Sequence, residues 1–259
     1  MGSRRTTEEV VLGLRVAERS TMRRDYHKWW AKDLGRDMEM MVYGHGGLPA
    51  VVFPTSQGRF YEFEDRGMVG AVEGKIDAGE LQLFCVDSVD AESWYNRGVG
   101  ADWRAARQVN YEDYVLHDVV PLIQQMNWSP QRITMGCSFG GYHAVNIALR
   151  HPWVFSGFLS MSGAFDLKQV GFLGGFYNDT AYFNLPLDYV PNLHDGHRLG
   201  KMRENKYVLA TGVHDQCWND NERMAAAMRS RGIPVQMDVW GDDTGHDWPW
   251  WMRMAQVYL

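Results

Sequence analysis

The chain has 259 residues, 45% hydrophobic and 22% charged, with a formal net charge of −6; that is enough to bury a full core as one α/β domain, and no Pro/Ser-rich linker divides it. An acidic balance without a basic run excludes nucleic acid as the main partner, and no apolar stretch approaches the length of a membrane span. Cys85, Cys137 and Cys217 form neither a CxxC pair nor an even set, which points to a reducing compartment, the cytoplasm, with no structural disulfide or zinc.

Residues 1–22 read as an N-terminal helix or arm, with Val10, Val11, Leu14 and Val16 striped among charges, ahead of a single domain over 23–259. The amino end is polar rather than a signal segment, and the lipidation-like pattern from Gly2 to Thr6 is read as chance. Arg23 to Trp30 and Asp37 to Tyr43, separated by Leu34-Gly35-Arg36, read as an antiparallel hairpin at one edge of a sheet. The chain's eleven tryptophans and fifteen methionines fit either an aromatic-lined cleft or a Trp-rich core.

Leu48 to Phe53 is the first strongly buried strand, and it empties into the polar loop Pro54-Thr55-Ser56-Gln57-Gly58-Arg59-Phe60. Ligands of open α/β sheets sit outside the carboxyl ends of strands, so this loop is a candidate wall of a site. Tyr61 to Lys75 is expected to contain a helix, and Leu81 to Val86 is the next strand. Glu92 to Arg97 follows on the same rim, where Trp94 and Tyr95 either shape a substrate pocket or pack. Tyr111 to Asn127 reads as an amphipathic helix.

The centre of the chain is the apolar run from Ile133, which breaks into Gly136-Cys137-Ser138-Phe139-Gly140 and then into helix formers, ending at His151-Pro152. A strand turning sharply into a helix needs glycines beside the turn residue, and the turn lifts the Ser138 hydroxyl clear of the sheet as a nucleophile. The unpaired amides at the start of the helix would stabilise negative charge developing beside it. Phe139 therefore supplies one candidate oxyanion donor, and Ser56 or Gln57 the other.

Phe158 to Met161 is a further strand, and Ser162 to Arg203 reads as irregular, the expected source of substrate selectivity. His194-Asp195-Gly196-His197 within it is read as a polar loop, since no further metal ligands stand at useful spacing. Tyr207 to Gly212 resumes the sheet, Asn219 to Gly232 is a helix with an Asn or Asp cap and a Gly stop, and Val235 to Trp240 is the last strand before a closing helix. Alternating strands and helices indicate a mostly parallel sheet covered on both faces.

A serine hydroxyl needs a base during attack, and an imidazole serves best when a carboxylate fixes its tautomer. Ser138, Asp215 and His246 each follow the carboxyl end of a predicted strand, in the order nucleophile, acid, base. Asp215 is preferred over Asp220, which stands where a helix begins, and over Asp242 and Asp243, which share a loop with His246.

With these residues in view the chain resembles the esterases of the α/β-hydrolase superfamily, the group that includes esterase D-like, feruloyl-esterase-like and mycolyltransferase-like proteins. The resemblance runs from about Asp37 onward. It rests on Gly136 to Gly141, on Ala210-Thr211-Gly212-Val213-His214-Asp215 with Asn221 and Gly232, and on Gly245-His246-Asp247-Trp248 with Trp251. It implies an α/β-hydrolase fold without a large lid domain, acyl transfer from an ester through Ser138, and no cofactor or metal. Many relatives carry His-Gly or Asp-Gly where this chain has Pro54-Thr55-Ser56-Gln57. A small or moderately sized soluble ester is the expected substrate, with Gln57, Trp94 and Tyr95 as candidate binding residues. Passing the acyl group to an acceptor other than water, a non-catalytic binding protein and a homo-oligomer remain open alternatives, whereas a peptidase or an interfacial lipase would need an added domain or lid.

Overall fold

Successive strand residues point to opposite sides of a sheet, and in this chain they feed two separate cores. Val51 and Phe53 face one core, whereas Ala50 and Val52 face the other; Phe84 and Val86 divide from Leu83 and Cys85 in the same way. The structure, a computed structural model, describes residues 22–168, 171–241 and 243–259, so the expected N-terminal arm lies, apart from Met22, outside the described residues.

The strands are β1 Arg24–Ala31, β2 Arg36–Tyr43, β3 Leu48–Phe53, β4 Leu81–Val86, β5 Ile133–Cys137, β6 Gly157–Met161, β7 Lys206–Gly212 and β8 Gln236–Trp240. They form one sheet in the order β1-β2-β4-β3-β5-β6-β7-β8. The β1–β2 and β2–β4 pairs are antiparallel and every other pair is parallel. The hairpin stands at one edge as its sequence predicts, and β1 alternates between exposed and half-buried residues while β4 is buried throughout.

Chain order reverses direction at β3: β4 lies on one side of it and β5 on the other. Loops leaving β3 and β5 therefore part at a switch point, where a crevice opens at the carboxyl end of the sheet. That crevice receives the Ser56 loop from one side and Ser138 from the other.

Three short helices, α1 Glu62–Asp65, α2 Met68–Ala71 and α3 Glu73–Asp77, replace the one helix expected between Tyr61 and Lys75. Gly67, at φ +81°, breaks the run at a left-handed turn. The helix expected from Tyr111 begins ten residues earlier, as α4 Ala101–Tyr114, and continues through a five-residue π turn, Val115–Val119, into α5 Val120–Met126. The ten residues before Tyr111 escape hydrophobic periodicity because Arg104 and Gln108 occupy their buried stripe.

Helix α6 Phe139–Arg150 follows β5, with every residue from Phe139 to Leu149 buried. The segment read as irregular carries α7 Asp179–Tyr182, α8 Pro186–Tyr189, a 3-10 turn and α9 Gly196–Glu204. Asp195 caps α9 through the amides of His197 and Arg198 at 2.9 and 3.1 Å, so the His-Asp-Gly-His stretch is a helix start. Asn184 is fully buried and bonds Tyr142 and Asn146 of α6, which fastens this segment onto the domain. Helices α10 Trp218–Ser230 and α11 Trp248–Tyr258 complete the fold. Residues of α1 to α3 and α11 fill one core and residues of α4 to α6 and α10 the other, so helices cover both faces of the sheet.

Candidate active site

Ser138 joins β5 to α6 with φ 55° and ψ −120°, a conformation that non-glycine residues seldom adopt. Its neighbours allow it. A Cβ on Gly136 would strike the backbone of Gly140, and one on Gly140 would strike the carbonyl oxygens of Phe53 and Pro54. The close approach of strand, turn and helix thus depends on glycine at both positions, and it presses the first turn of α6 against the end of β3.

His246 Nε2 lies 2.9 Å from Ser138 Oγ, and His246 Nδ1 lies 2.9 Å from Asp215 Oδ1. Since an ionised carboxylate only accepts, Nδ1 carries the ring proton and Nε2 accepts from the serine hydroxyl. Residues 108 positions apart in sequence meet at one rim because β5, β7 and β8 all end there.

The Asp215 side chain is fully buried, and Oδ1 also accepts the Cys217 amide at 2.7 Å. Burial is the largest influence on its carboxyl group and pushes the pKa up. Hydrogen bonding to His246, the nearby Ser162 hydroxyl and the Cys217 amide outweigh it, leaving the group below the ordinary carboxylate value. Asp215 Oδ2 has no partner at ordinary hydrogen-bond geometry, so the Ser162 influence is that of a neighbouring donor rather than a close bond. Ser162 Oγ in turn accepts from Trp251 Nε1 at 2.8 Å, and the Trp251 ring stands edge-on to His246 at 4.9 Å. Sequence reasoning missed Ser162; the Ser162-Gly163 pair directly after β6 was the available signal.

Asp220 neither caps α10 nor approaches His246. Its Oδ2 accepts the amides of Phe165 and Asp166, both at 2.8 Å. The expected Asn or Asp cap of α10 is thereby corrected: Cys217 stands at the cap position without a side-chain bond.

Among the described residues neither the Phe139 amide nor the Ser56 amide has a hydrogen-bond partner. The Gln57 amide, the alternative donor, is committed to Asp90 Oδ2 at 3.0 Å. Tyr95 links the two sides of the crevice: its hydroxyl donates to Ser56 Oγ at 2.7 Å and its ring meets Phe139 edge-on at 5.2 Å. Ser56 and Gln57 are exposed and Tyr95 is half-buried. Trp94 is a correction. It is 0% exposed, donates to the Tyr142 hydroxyl and stacks near Phe172, so its ring packs the core and presents no face to a ligand.

Asp215, Cys217 and His246 bring potential metal-ligand atoms within 4.8 Å of one another. Asp215 Oδ1 and His246 Nδ1 are engaged with each other, and burial pushes the Cys217 thiol up to about 12, which opposes the thiolate a metal would need. The donor set fits proton relay better than metal binding. A cavity of about 720 Å³ bounded by Lys206, Gln236 and Tyr258 lies at the amino ends of β7 and β8, away from this chemistry.

The family described as "Putative esterase" matches residues 31–257. No curated protein sequence matches the chain. Among solved structures it is similar to a ferulic acid esterase, at TM-score 0.73 and 18% identity over 92% of this chain and 96% of that one. It is also similar to an S-formylglutathione hydrolase from Agrobacterium tumefaciens, at TM-score 0.70 and 16% identity over 92% and 93%. A third similar structure is the S-formylglutathione hydrolase of Staphylococcus aureus, at TM-score 0.66 and 17% identity over 91% and 94%. At such identities the likeness is one of fold, and the fold is that of the α/β-hydrolases.

Proposed function

The chain belongs to the esterase family, serine hydrolases of small-molecule carboxylic esters, and on that premise we propose that Ser138, His246 and Asp215 carry the reaction. The observation behind this reading is the unbroken hydrogen-bond chain from Ser138 Oγ through the His246 ring to Asp215, at 2.9 Å on each side.

Ser138 Oγ attacks the ester carbonyl while His246 Nε2 takes its proton, and the buried Asp215 carboxylate stabilises the imidazolium that forms. The Phe139 and Ser56 amides hold the developing oxyanion. His246 then returns the proton to the departing alcohol, activates water, and the acyl group leaves Ser138 as a carboxylic acid. No step calls for a metal or an organic cofactor. Gln57 and Tyr95 line the approach to Ser138 as substrate-contacting residues. Asn184, in the stretch between β6 and β7, is bonded to Tyr142 and Asn146 of α6, and among the described residues no large lid domain is added to the fold, which supports soluble esters of small or moderate size. The three cysteines are buried free thiols, which supports residence in the cytoplasm.

Ser138→Ala tests the reading. The variant is expected to fold with an unchanged Tm, to lose hydrolysis of nitrophenyl acetate and to escape labelling by a fluorophosphonate probe. Full esterase activity in a folded Ser138→Ala protein would remove Ser138 from the mechanism.

A further inference from the structure

Behind the crevice lies a second histidine–carboxylate pair that the reaction does not use. His143 and Asp90 are 1% and 0% exposed, and His143 Nε2 lies 2.8 Å from Asp90 Oδ1. The other oxygen, Oδ2, accepts the Gln57 amide at 3.0 Å, and the Asp90 carbonyl accepts the Tyr95 amide at 3.0 Å. His143 stands one turn after Phe139 on α6, its ring edge-on to that of Phe139 at 5.1 Å and flanked by Phe53, Tyr111 and Tyr142. Gln108 Nε2 lies 3.3 Å from the remaining ring nitrogen.

We propose that the buried Asp90–His143 pair positions the oxyanion hole, acting as a strut between the helix that carries Phe139 and the loop that carries Ser56. The proposal rests on the Ser138 reading above. The two amides belong to loops that leave different strands, and donors to a developing charge must keep their mutual geometry within about 0.5 Å. A covalent path between them is long, whereas the path Phe139–His143–Asp90–Gln57 is short and made of a packed ring and two hydrogen bonds. It also explains how Gln57, a non-glycine residue at φ +57°, is held in a left-handed turn. By taking the Gln57 amide, Asp90 leaves the adjacent Ser56 amide as the loop's donor. A buried hydrogen bond adds only modest net stability, and both Asp90 oxygens are spent on holding neighbours in place, so a geometric role accounts for the pair better than stability does.

The test compares His143→Phe with His143→Gln. Phenylalanine fills the aromatic surroundings but cannot donate to Asp90, while glutamine keeps an amide donor. Turnover is counted per active site, titrated to completion with a fluorophosphonate. His143→Phe is expected to lower kcat about tenfold or more with KM changed by no more than about twofold. It should weaken inhibition by a boronic acid, whose tetrahedral adduct on Ser138 occupies the oxyanion position, by a similar factor. His143→Gln should recover most of both losses. Where His143→Phe fails to fold, Asp90→Asn serves instead, because its NH₂ takes the place of one of the two accepting oxygens and sets a donor against either the His143 ring or the Gln57 amide. Wild-type kcat per site and wild-type boronate inhibition in these variants, with only Tm lowered, would overturn the strut. Ser138→Ala assayed alongside separates the two failures: an active Ser138→Ala protein sinks the reaction itself, whereas an inactive one beside fully active His143 variants sinks only the positioning role.

Discussion

Asp215→Asn keeps the volume of the acid and removes its charge, which isolates what the carboxylate does for the reaction. In the resting site the carboxylate accepts from His246 Nδ1 at 2.9 Å and from the Cys217 amide at 2.7 Å, and its side chain has no solvent exposure to screen it. When His246 takes the Ser138 proton, a positive charge appears with its centre about 4 Å from the carboxylate; at an effective dielectric of about 20 the attraction is worth roughly 4 kcal/mol. At about 1.4 kcal/mol per decade this predicts a fall in kcat near 10³. An asparagine whose NH₂ turns toward Nδ1 would also impose the wrong tautomer and deepen the loss toward about 10⁴. KM should stay within about threefold, because the ground state carries no charge on His246. Steady-state hydrolysis of nitrophenyl acetate, with circular dichroism to verify folding, is the assay. A folded variant within tenfold of wild-type kcat would refute the reasoning.

The same substitution has a pH signature. The folded pKa of Asp215 is depressed, so its contribution to stability is fully present above the unfolded carboxylate value, near about 4, and is lost as pH falls through the lower folded value. The Tm gap between wild type and Asp215→Asn should therefore persist at pH 6 and close only on strong acidification.

Gly140→Ala would set a methyl group 2.5 Å from the Pro54 carbonyl oxygen and closer still to that of Phe53, both fixed at the end of β3. Overpacking of this kind costs about 1–3 kcal/mol, or a fall in Tm of roughly 2–12 °C for a chain of this size, and kcat should drop as α6 is pushed away from the Ser56 loop. Wild-type Tm and activity together would contradict the described contact. Asp220 behaves oppositely to Asp215: burial raises its pKa despite the two amides it accepts, so its ionisation opposes folding above the unfolded pKa. Asp220→Asn should match or exceed wild-type Tm at pH 7, with the difference shrinking toward pH 3; a lower Tm at pH 7 would show that the charge itself is needed by Phe165 and Asp166.

Which parts of the fold could be read in advance follows from what hydrophobic periodicity reports. The β3 run Leu48–Phe53 and the β4 run Leu81–Val86 are apolar and bounded by turn residues, so their limits coincide with those expected. Helix α4 is hidden at its start because its inward stripe is polar there: Arg104 and Gln108 are buried, and Gln108 Nε2 meets His143 of α6 at 3.3 Å. A stripe satisfied by distant partners has no local signature. Helix α9 was concealed by Gly196 and Gly200, which lower helix propensity, although its Asp195 cap was visible.

The candidate site divides along the same line. Ser138 was legible because its unusual backbone is made possible by glycines two residues away on either side, and His246 and Asp215 because each follows a strand in chain order. Gln57, Ser138 and Ser162 are the non-glycine residues at positive φ among those described, and all three border the crevice or the acid behind it. For Gln57 and Ser162 the cost of that geometry is offset from elsewhere, by Asp90 thirty-three positions away and by the Ala210 carbonyl, which accepts the Ser162 amide at 2.7 Å. Trp94 fails as a ligand contact for a related reason, since a tryptophan on a rim loop looks the same in sequence whether Phe172 covers it or a substrate does. Strain relieved by adjacent glycines leaves a motif; strain relieved across the fold leaves only ordinary residues, and only the packed chain brings Asp90 to the Gln57 amide and the Ala210 carbonyl to that of Ser162.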